Sequence, residues 1–426
     1  VERRILLNSW EGVYMDINEK GMDQMMGDIA SMGGELFVMD DGWFGDKYRR
    51  VTDNSSLGDW VVDRQKLPHG IGWLVETAEK HGIRFGIWIE PEMTNTKSEL
   101  YEKHPDWVVK AQNRDLVTGR GGTQLLLDLS NPAVQDFVFG VVDNIMTENP
   151  DIAYIKWDAN MDISAHGSQY LKNQNHLYIE YHRGLAKVLD RVRAKYPDLT
   201  IQACASGGGR ANYGIMPWFD EFWVSDDTDA LQRLYLQWGT SYFYPSIAMA
   251  SHISAAPNHQ TGRNVPMKFR IDVAMSGRLG MEIQPMNMTE AEKELCRQAI
   301  SDYKKIRPIV QFGDLYRLDS PYDDNGIASL MYCSDDKQKA VFYWWKPLGF
   351  CDEHLPVVKM EGLEPESMYK VTELHPIDRF PLSCEGKVFS GKYLMENGLV
   401  LPNSHSAKNP EFGSSWASRV LYLEAQ

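Results

Sequence analysis

Cysteine is scarce in this chain. Cys204, Cys296, Cys333, Cys351 and Cys384 are five in number and carry no paired spacing, so they suggest neither a disulfide framework nor a zinc site and leave the compartment open. Clustered Lys and Arg are missing too. The 44 basic residues stand against 59 acidic ones, a formal charge of −15, and this sign argues against nucleic acid as a partner. No apolar run approaches the roughly 20 residues of a membrane-spanning helix, so a soluble protein without a membrane partner is expected. The eleven histidines show no HExxH or paired metal spacing, and His252 and His259 read as readily as packing residues as ligands. A Gly-x-Ser-x-Gly elbow is absent. The chain opens Val1-Glu-Arg-Arg-Ile5, with neither methionine nor a signal-like segment, and is expected to be a fragment that has lost its native amino terminus.

What is present is a rhythm of strand and helix. At 426 residues the chain exceeds one ordinary domain, and a large unit with a smaller one is expected. Glu19 to Met32 has helical spacing, and Glu35 to Met39 then reads as a buried strand running into Asp40-Asp-Gly-Trp-Phe44. His69 to His81 and Asn131 to Thr147 are helical; Ile83 to Ile89, Thr200 to Cys204 and Phe222 to Val224 are strands. Ser246 to Ser251 and Leu279 to Ile283 supply a seventh and an eighth. This pattern predicts a (β/α)8 TIM barrel over residues 1–307. An open doubly wound sheet would gather its polar ends at one switch point, whereas here they are spread over at least five strands. From about Pro308 short alternating strands separated by turn residues predict a smaller all-β antiparallel domain over 308–426, packed closely on the barrel.

The stretch Ala153-Tyr-Ile-Lys-Trp-Asp158 is the most informative. It is an apolar run ending in charge, and strand alternation puts Tyr154, Lys156 and Asp158 on one face at the carboxyl end, where barrel enzymes build their sites. Asp158 and Asp226 both end strands, as a pair of carboxylates for glycosidic hydrolysis would. Each alone reads equally well as a cap or turn former. The case rests on the set Asp40, Asp41, Glu90, Lys156, Asp158 and Asp226. The pairs Asp40-Asp41 and Asp226-Asp227, with Asp229, could alternatively ligate Mg²⁺ or Ca²⁺, but neighbouring Trp43, Trp88 and Trp223 favour a sugar. Ser206-Gly-Gly-Gly-Arg210 lacks the Lys-Ser/Thr that completes a phosphate loop. It reads as a flexible strand-to-helix turn that lets backbone approach a ligand.

Together the motifs resemble the glycoside hydrolase family 36 α-galactosidases. Asn8-Ser-Trp-Glu11, Leu36-Phe-Val-Met-Asp-Asp-Gly-Trp-Phe-Gly45, Ser56-Leu-Gly-Asp-Trp60, Phe85-Gly-Ile-Trp-Ile-Glu-Pro-Glu-Met93, His104-Pro-Asp-Trp107, Lys156-Trp-Asp158 and Pro257-Asn-His-Gln-Thr-Gly262 follow the family's order. The resemblance implies retaining double displacement on terminal α-galactosides such as galacto-oligosaccharides, with Asp158 as nucleophile and Asp226 as acid/base, their carboxyls about 5 to 5.5 Å apart. It further implies Asp40 and Asp41 at O4 and O6, Trp88 against the sugar, and Arg120, Lys156 and Asn160 on hydroxyls. Cys204, Ser206 and Gly207 would form the wall beside O2. No cofactor and no metal are implied, and the full-length form would be a homo-oligomer with an amino-terminal β-sandwich absent here.

Three departures stand out: Lys156-Trp-Asp-Ala-Asn-Met161 for the usual Lys-Trp-Asp-Met-Asn-Arg, Cys204-Ala-Ser-Gly-Gly-Gly-Arg210 for Cys-Ser-Gly-Gly-Gly-Gly-Arg, and Asp227 for Asn. They leave open hydroxyl or N-acetyl at O2. The alternatives are thus an α-N-acetylgalactosaminidase, a galactosyl-transferring enzyme and a non-catalytic galactoside-binding protein, with a metal-dependent phosphotransferase further off.

Overall fold

The computed structural model describes residues 1–163, 166–349, 357–377, 381–402 and 415–426; Cys351 lies outside them. The first strands are β1 (Leu6–Asn8), β2 (Leu36–Met39) and β3 (Arg84–Ile89), and a short antiparallel pair, β4 (Met93–Asn95) and β5 (Gln124–Leu126), sits in the connection after β3. Then come β6 (Ile152–Trp157), β7 (Thr200–Ala203), β8 (Glu221–Trp223), β9 (Met249–Ser254) and β10 (Arg278–Glu282). Eight of these close into a parallel barrel in the order β1-β10-β9-β8-β7-β6-β3-β2.

Alternation along β6 sorts its side chains as the sequence pattern predicts. Ile155 and Trp157 pack outward into the main apolar core, while Tyr154 points inward with Leu6, Leu36 and Val38. The outer helices are stopped and started by local chemistry. Asn18 caps Glu19–Ser31 by accepting from the Gly21 N–H at 2.9 Å, and that helix buries Met22, Met25, Met26 and Ile29. Pro132 opens Pro132–Glu148 at a position where no N–H is needed.

Two expectations shift. The seventh and eighth strands are Met249–Ser254 and Arg278–Glu282, because Ser246–Ala248 after Pro245 winds instead into a 3₁₀ turn closed by the Ala248 N–H on Pro245 O at 3.0 Å. The turn after β7 does not lead into a helix. The described residues between Ala203 and Glu221 hold turns and a single bridge between Ala205 and Gly208 but no helix, since Gly207, Gly208, Gly209, Gly214 and Pro217 leave no run of helix formers there.

The helix Glu290–Phe312 carries Pro308 within it and continues to Phe312. The antiparallel sheet follows with β11 (Asp314–Asp319), β12 (Ala328–Cys333), β13 (Lys339–Lys346), β14 (Met368–Glu373), β15 (Val388–Ser390) and β16 (Ala417–Ala425), in the order β11-β12-β13-β16-β14-β15. One face of this sheet covers the helix Met267–Ala274, all of whose residues are buried. The Tyr332 and Tyr343 hydroxyls donate to Ser276 O and Met275 O at 2.7 and 2.8 Å, just past that helix's end. Fully buried His375 lies 2.8 Å from Asp272 and 3.3 Å from Asp302, tying sheet to barrel. No helix among the described residues is long and apolar enough to cross a membrane.

Candidate active site

A cavity of about 150 Å³ opens at the carboxyl ends of the barrel strands. That is well below the roughly 300–1,000 Å³ of sites for drug-sized ligands and suits a single small ring. Asp40, Asp41, Trp88, Arg120, Lys156, Asp158, Asn160 and Asp226 all line it, joined by Trp10, Glu11, Trp223, His259, Gln260 and Glu282. The strand ends on which the sequence reading rested therefore meet around one space.

Asp158 follows β6 directly, its N–H donating to Ile89 O at 2.8 Å. Its carboxylate is fixed by three N–H donors: Trp88 Nε1 at 3.1 Å and Asn160 Nδ2 at 2.7 Å on Oδ2, and the Ala159 N–H at 2.9 Å on Oδ1. Asn160 is held in turn, because its Oδ1 accepts from the Ser206 N–H and Oγ–H, both at 2.9 Å. Below lies Lys156, whose Nζ reaches Asp40 Oδ2 at 2.8 Å. Burial alone would lower this ammonium, but the carboxylates of Asp40, Glu282 and Asp158 around it prevail and hold it charged, well above its usual range. Asp41 takes a fork from Arg50, with Nη2 at 2.7 Å and Nε at 3.0 Å.

Asp226 follows β8. Burial pushes its carboxyl up, Lys156 opposes this, and the charge of Asp158 adds to it; this is the bias a proton donor needs. Glu90, at the end of β3, is driven by burial and by Asp158 up to about 8. It accepts from Gln124 Nε2 at 3.0 Å and the Asn160 N–H at 2.5 Å, bracing the segment just after Asp158.

Cys204, Ser206 and Gly207 are not among the lining residues. Cys204 is buried against Trp223 and Ala250, and burial together with Asp158 raises its thiol so that it stays protonated. Gly207 has φ +86°, and a Cβ there would lie 2.8 Å from Ser225 Cα and 2.9 Å from Asp226 N. This turn brings backbone against the Asp226 loop rather than against the cavity.

These acids have partners other than a metal ion. Asp40 and Asp41 hold Lys156 and Arg50, while Asp229 holds Arg263 at 2.7 Å and caps the helix Ala230–Ser241. Among the described residues no group of three His, Cys, Asp or Glu is placed to hold a metal ion.

Sequence reasoning missed Arg50, Glu11 and Glu282 as site residues. Glu282 had a signal: along β10 it shares the inward face with Arg278 and Gly280. His252 proves a packed residue, its ring 4.3 Å from Trp223, whereas His259 lines the cavity.

The family profile described as Melibiase matches residues 1–313, and that of the glycosyl hydrolase family 36 C-terminal domain matches 327–423. This chain belongs to glycosyl hydrolase family 36. The α-galactosidase AgaA of Geobacillus stearothermophilus is 39% identical over 403 residues, covering 94% of the family 36 chain and 53% of the relative. The probable α-galactosidase C of Aspergillus terreus is 40% identical over 433 residues, covering 99% and 54%. The family 36 chain thus spans about half the length of the curated relatives it matches. Among solved structures, AgaA superposes with a TM-score of 0.91 at 37% identity, covering all of this chain and 56% of that one. The α-galactosidase from Lactobacillus brevis gives 0.92 at 34%, covering 100% and 55%. Variants of AgaA have been solved in complex with raffinose and with stachyose.

Proposed function

We propose that this chain is the catalytic part of a retaining exo-α-galactosidase, acting on terminal α-galactosides of the raffinose and stachyose class. Two carboxylates in different settings, Asp158 pinned by N–H donors and Asp226 on the same cavity with its proton held more tightly, carry this reading. Asp158 attacks the anomeric carbon while Asp226 protonates the leaving oxygen; Asp226 then takes a proton from the water that releases the sugar with its original anomeric configuration. Asp40, Asp41 and Lys156 bind hydroxyls at the cavity floor, Trp88 supports the ring, and Arg120 and Asn160 bind the remaining hydroxyls. Cys204, Ser206 and Gly207 back the wall beside O2. Asn160 is held in place by its ties to both Asp158 and Ser206.

The test is release of nitrophenol from 4-nitrophenyl α-D-galactopyranoside, with the first anomer formed identified by NMR. We expect α-galactose first and a loss of at least about 10³-fold in Asp158→Ala. Full activity in that variant refutes the nucleophile, and faster turnover of the N-acetylgalactosaminide refutes the sugar.

A further inference from the structure

Neither Glu92 nor Arg210 lines the cavity, yet the two meet on the outer side of β6. Glu92 sits in the turn between β3 and β4 and is 0% exposed. Arg210 Nη1 lies 2.8 Å from its Oε1 and 3.0 Å from its Oε2. Trp157 Nε1 donates to Oε1 at 2.8 Å, and the Tyr181 hydroxyl donates to Oε2 at 2.5 Å. Tyr181 belongs to the helix Leu177–Lys195. One carboxylate thus gathers the end of β6, the helix after it and the turn after β7. A buried ion pair adds little net stability over apolar residues of the same size, so what this one holds still is the better guide to its use.

It holds a segment with no stiffness of its own. Gly207, Gly208 and Gly209 run together in the turn, and glycine gives up more backbone freedom on ordering than any other residue. The turn is nevertheless closely packed. A Cβ on Gly207 would stand 2.8 Å from Ser225 Cα, one on Gly208 2.8 Å from Val224 O, and one on Gly209 2.5 Å from Ala205 O. The near end continues β7, where the Cys204 N–H donates to Trp157 O at 2.8 Å. The far end is Arg210, and among the described residues Glu92 alone accepts from its guanidinium. Arg210 Nε and Nη2 have no partner there, and its Cζ lies 6.0 Å from the centre of the Phe219 ring.

The turn touches the supports of both reacting carboxylates. Ser206 gives its N–H and Oγ–H to Asn160 Oδ1, and Asn160 donates to Asp158 Oδ2 at 2.7 Å. Gly207, the next residue, packs on the backbone of Ser225 and Asp226. Glu92 also reaches Asp158 by a second route, through its chain neighbour Trp157. Retention needs the two carboxyls about 5 to 5.5 Å apart, and this one turn lies against what holds each of them.

We propose that Glu92 and Arg210 are positioning residues: their ion pair keeps the glycine turn where Ser206 grips Asn160 and Gly207 bears on Asp226, and so fixes the spacing of nucleophile and acid. This rests on the α-galactosidase reading above and deepens it. Since neither residue lines the cavity, parting them should slow turnover more than it weakens the binding of galactose. A brace that served the fold alone would instead lower the melting point and spare the turnover of the folded enzyme.

The experiment measures kcat on 4-nitrophenyl α-D-galactopyranoside and the inhibition constant of galactose, well below the melting point of each variant. Arg210→Met should lose at least about tenfold in kcat, as small displacements of reacting groups do, with the galactose constant changed less. Arg210→Lys, which keeps a cation facing Glu92, should recover part of the loss. With Glu92→Gln as the other corner of the cycle, the double variant Glu92→Gln/Arg210→Met should be no slower than Arg210→Met, because the two residues act through one contact. If Arg210→Met, which leaves Glu92 charged and short of a partner, does not fold, the double variant, in which neither charge remains, is read by the same kcat. Unchanged kcat with a lowered melting point, or losses that multiply in the double variant, overturns the proposal. A wild-type chain that turns over no α-galactoside refutes the hydrolase reading instead. The clamp is then decided by amide exchange at Ser206 and Gly209, whose N–H groups bond Asn160 Oδ1 and Ala205 O. Faster exchange in the double variant supports it, and an unchanged rate overturns it.

Discussion

Replacing Gly207 by alanine should damage both stability and turnover, for reasons that can be separated. Its φ of +86° lies in the left-handed region, which costs a side chain about 1–2 kcal/mol. The new Cβ would also stand 2.8 Å from Ser225 Cα and 2.9 Å from Asp226 N. These are backbone atoms that cannot rotate away, and overpacking of this kind costs about 1–3 kcal/mol. The sum, about 2–5 kcal/mol, is a large part of the roughly 5–15 kcal/mol that holds a protein folded. If the fold survives, the Asp226 backbone must have given way, and a displacement near 1 Å at a reacting group costs about 10²-fold in rate. Gly386 provides the control, because it has φ +69° and a Cβ added there would meet no atom within 4 Å, so Gly386→Ala meets only the backbone cost. Thermal melts and kcat on an aryl α-galactoside are measured for both variants. Gly207→Ala should melt several degrees below Gly386→Ala and turn over about 10²-fold more slowly. Equal melting points and an unchanged kcat would refute the claim that this glycine holds the acid in place.

Two further outcomes follow from the acids whose protons are held more tightly than usual. Asp226→Ala should lose about 10²- to 10⁴-fold on raffinose, whose leaving oxygen needs a proton, and far less on an aryl galactoside with an acidic leaving group; equal losses on both would remove its role as acid. In the intact enzyme the rate should fall as pH rises through the elevated pKa of Asp226. Glu90 bears on stability. The unfolded chain releases this proton near 4.5 and the folded one near 8, so between those values the unfolded state binds fewer protons and stability falls as pH rises. Glu90→Gln, which mimics the protonated acid, should flatten the decline in melting midpoint from about pH 5 to about pH 8; a decline as steep as in the wild type would show that Glu90 does not titrate in that window.

Much of the barrel could be read beforehand because its strands end in chemistry. β6 announces itself by an apolar run that stops at Lys156, Trp157 and Asp158, and β2 does so by Asp40 and Asp41. The register of β9 was harder, since Ser246–Ala248 carries the apolar content of a strand but follows Pro245 into a 3₁₀ turn. The absent helix between β7 and β8 is explained by glycines whose close backbone packing, at Gly207 against Ser225, is a tertiary fact with no local pattern. The arc of Glu11, His259 and Glu282 escaped for a related reason. Each stands alone on its own element with no paired spacing, and only closure of the ring between β10 and β1 makes them neighbours. Arg50 stands in a loop with no motif around it, and only its fork on Asp41 marks it as part of the site.

The helix Met267–Ala274 has no solvent side: barrel lies on one flank and the second sheet on the other, with tyrosine hydroxyls from β12 and β13 satisfying carbonyls just beyond its end. The two units therefore share a single interior across their boundary. A barrel cut free after Phe312 would bare the ion-paired Lys268 and Asp272 together with their apolar neighbours and leave Asp272 without His375, so shuffling this barrel onto another carboxyl-terminal module would have to bring a replacement roof with its own partner for that carboxylate.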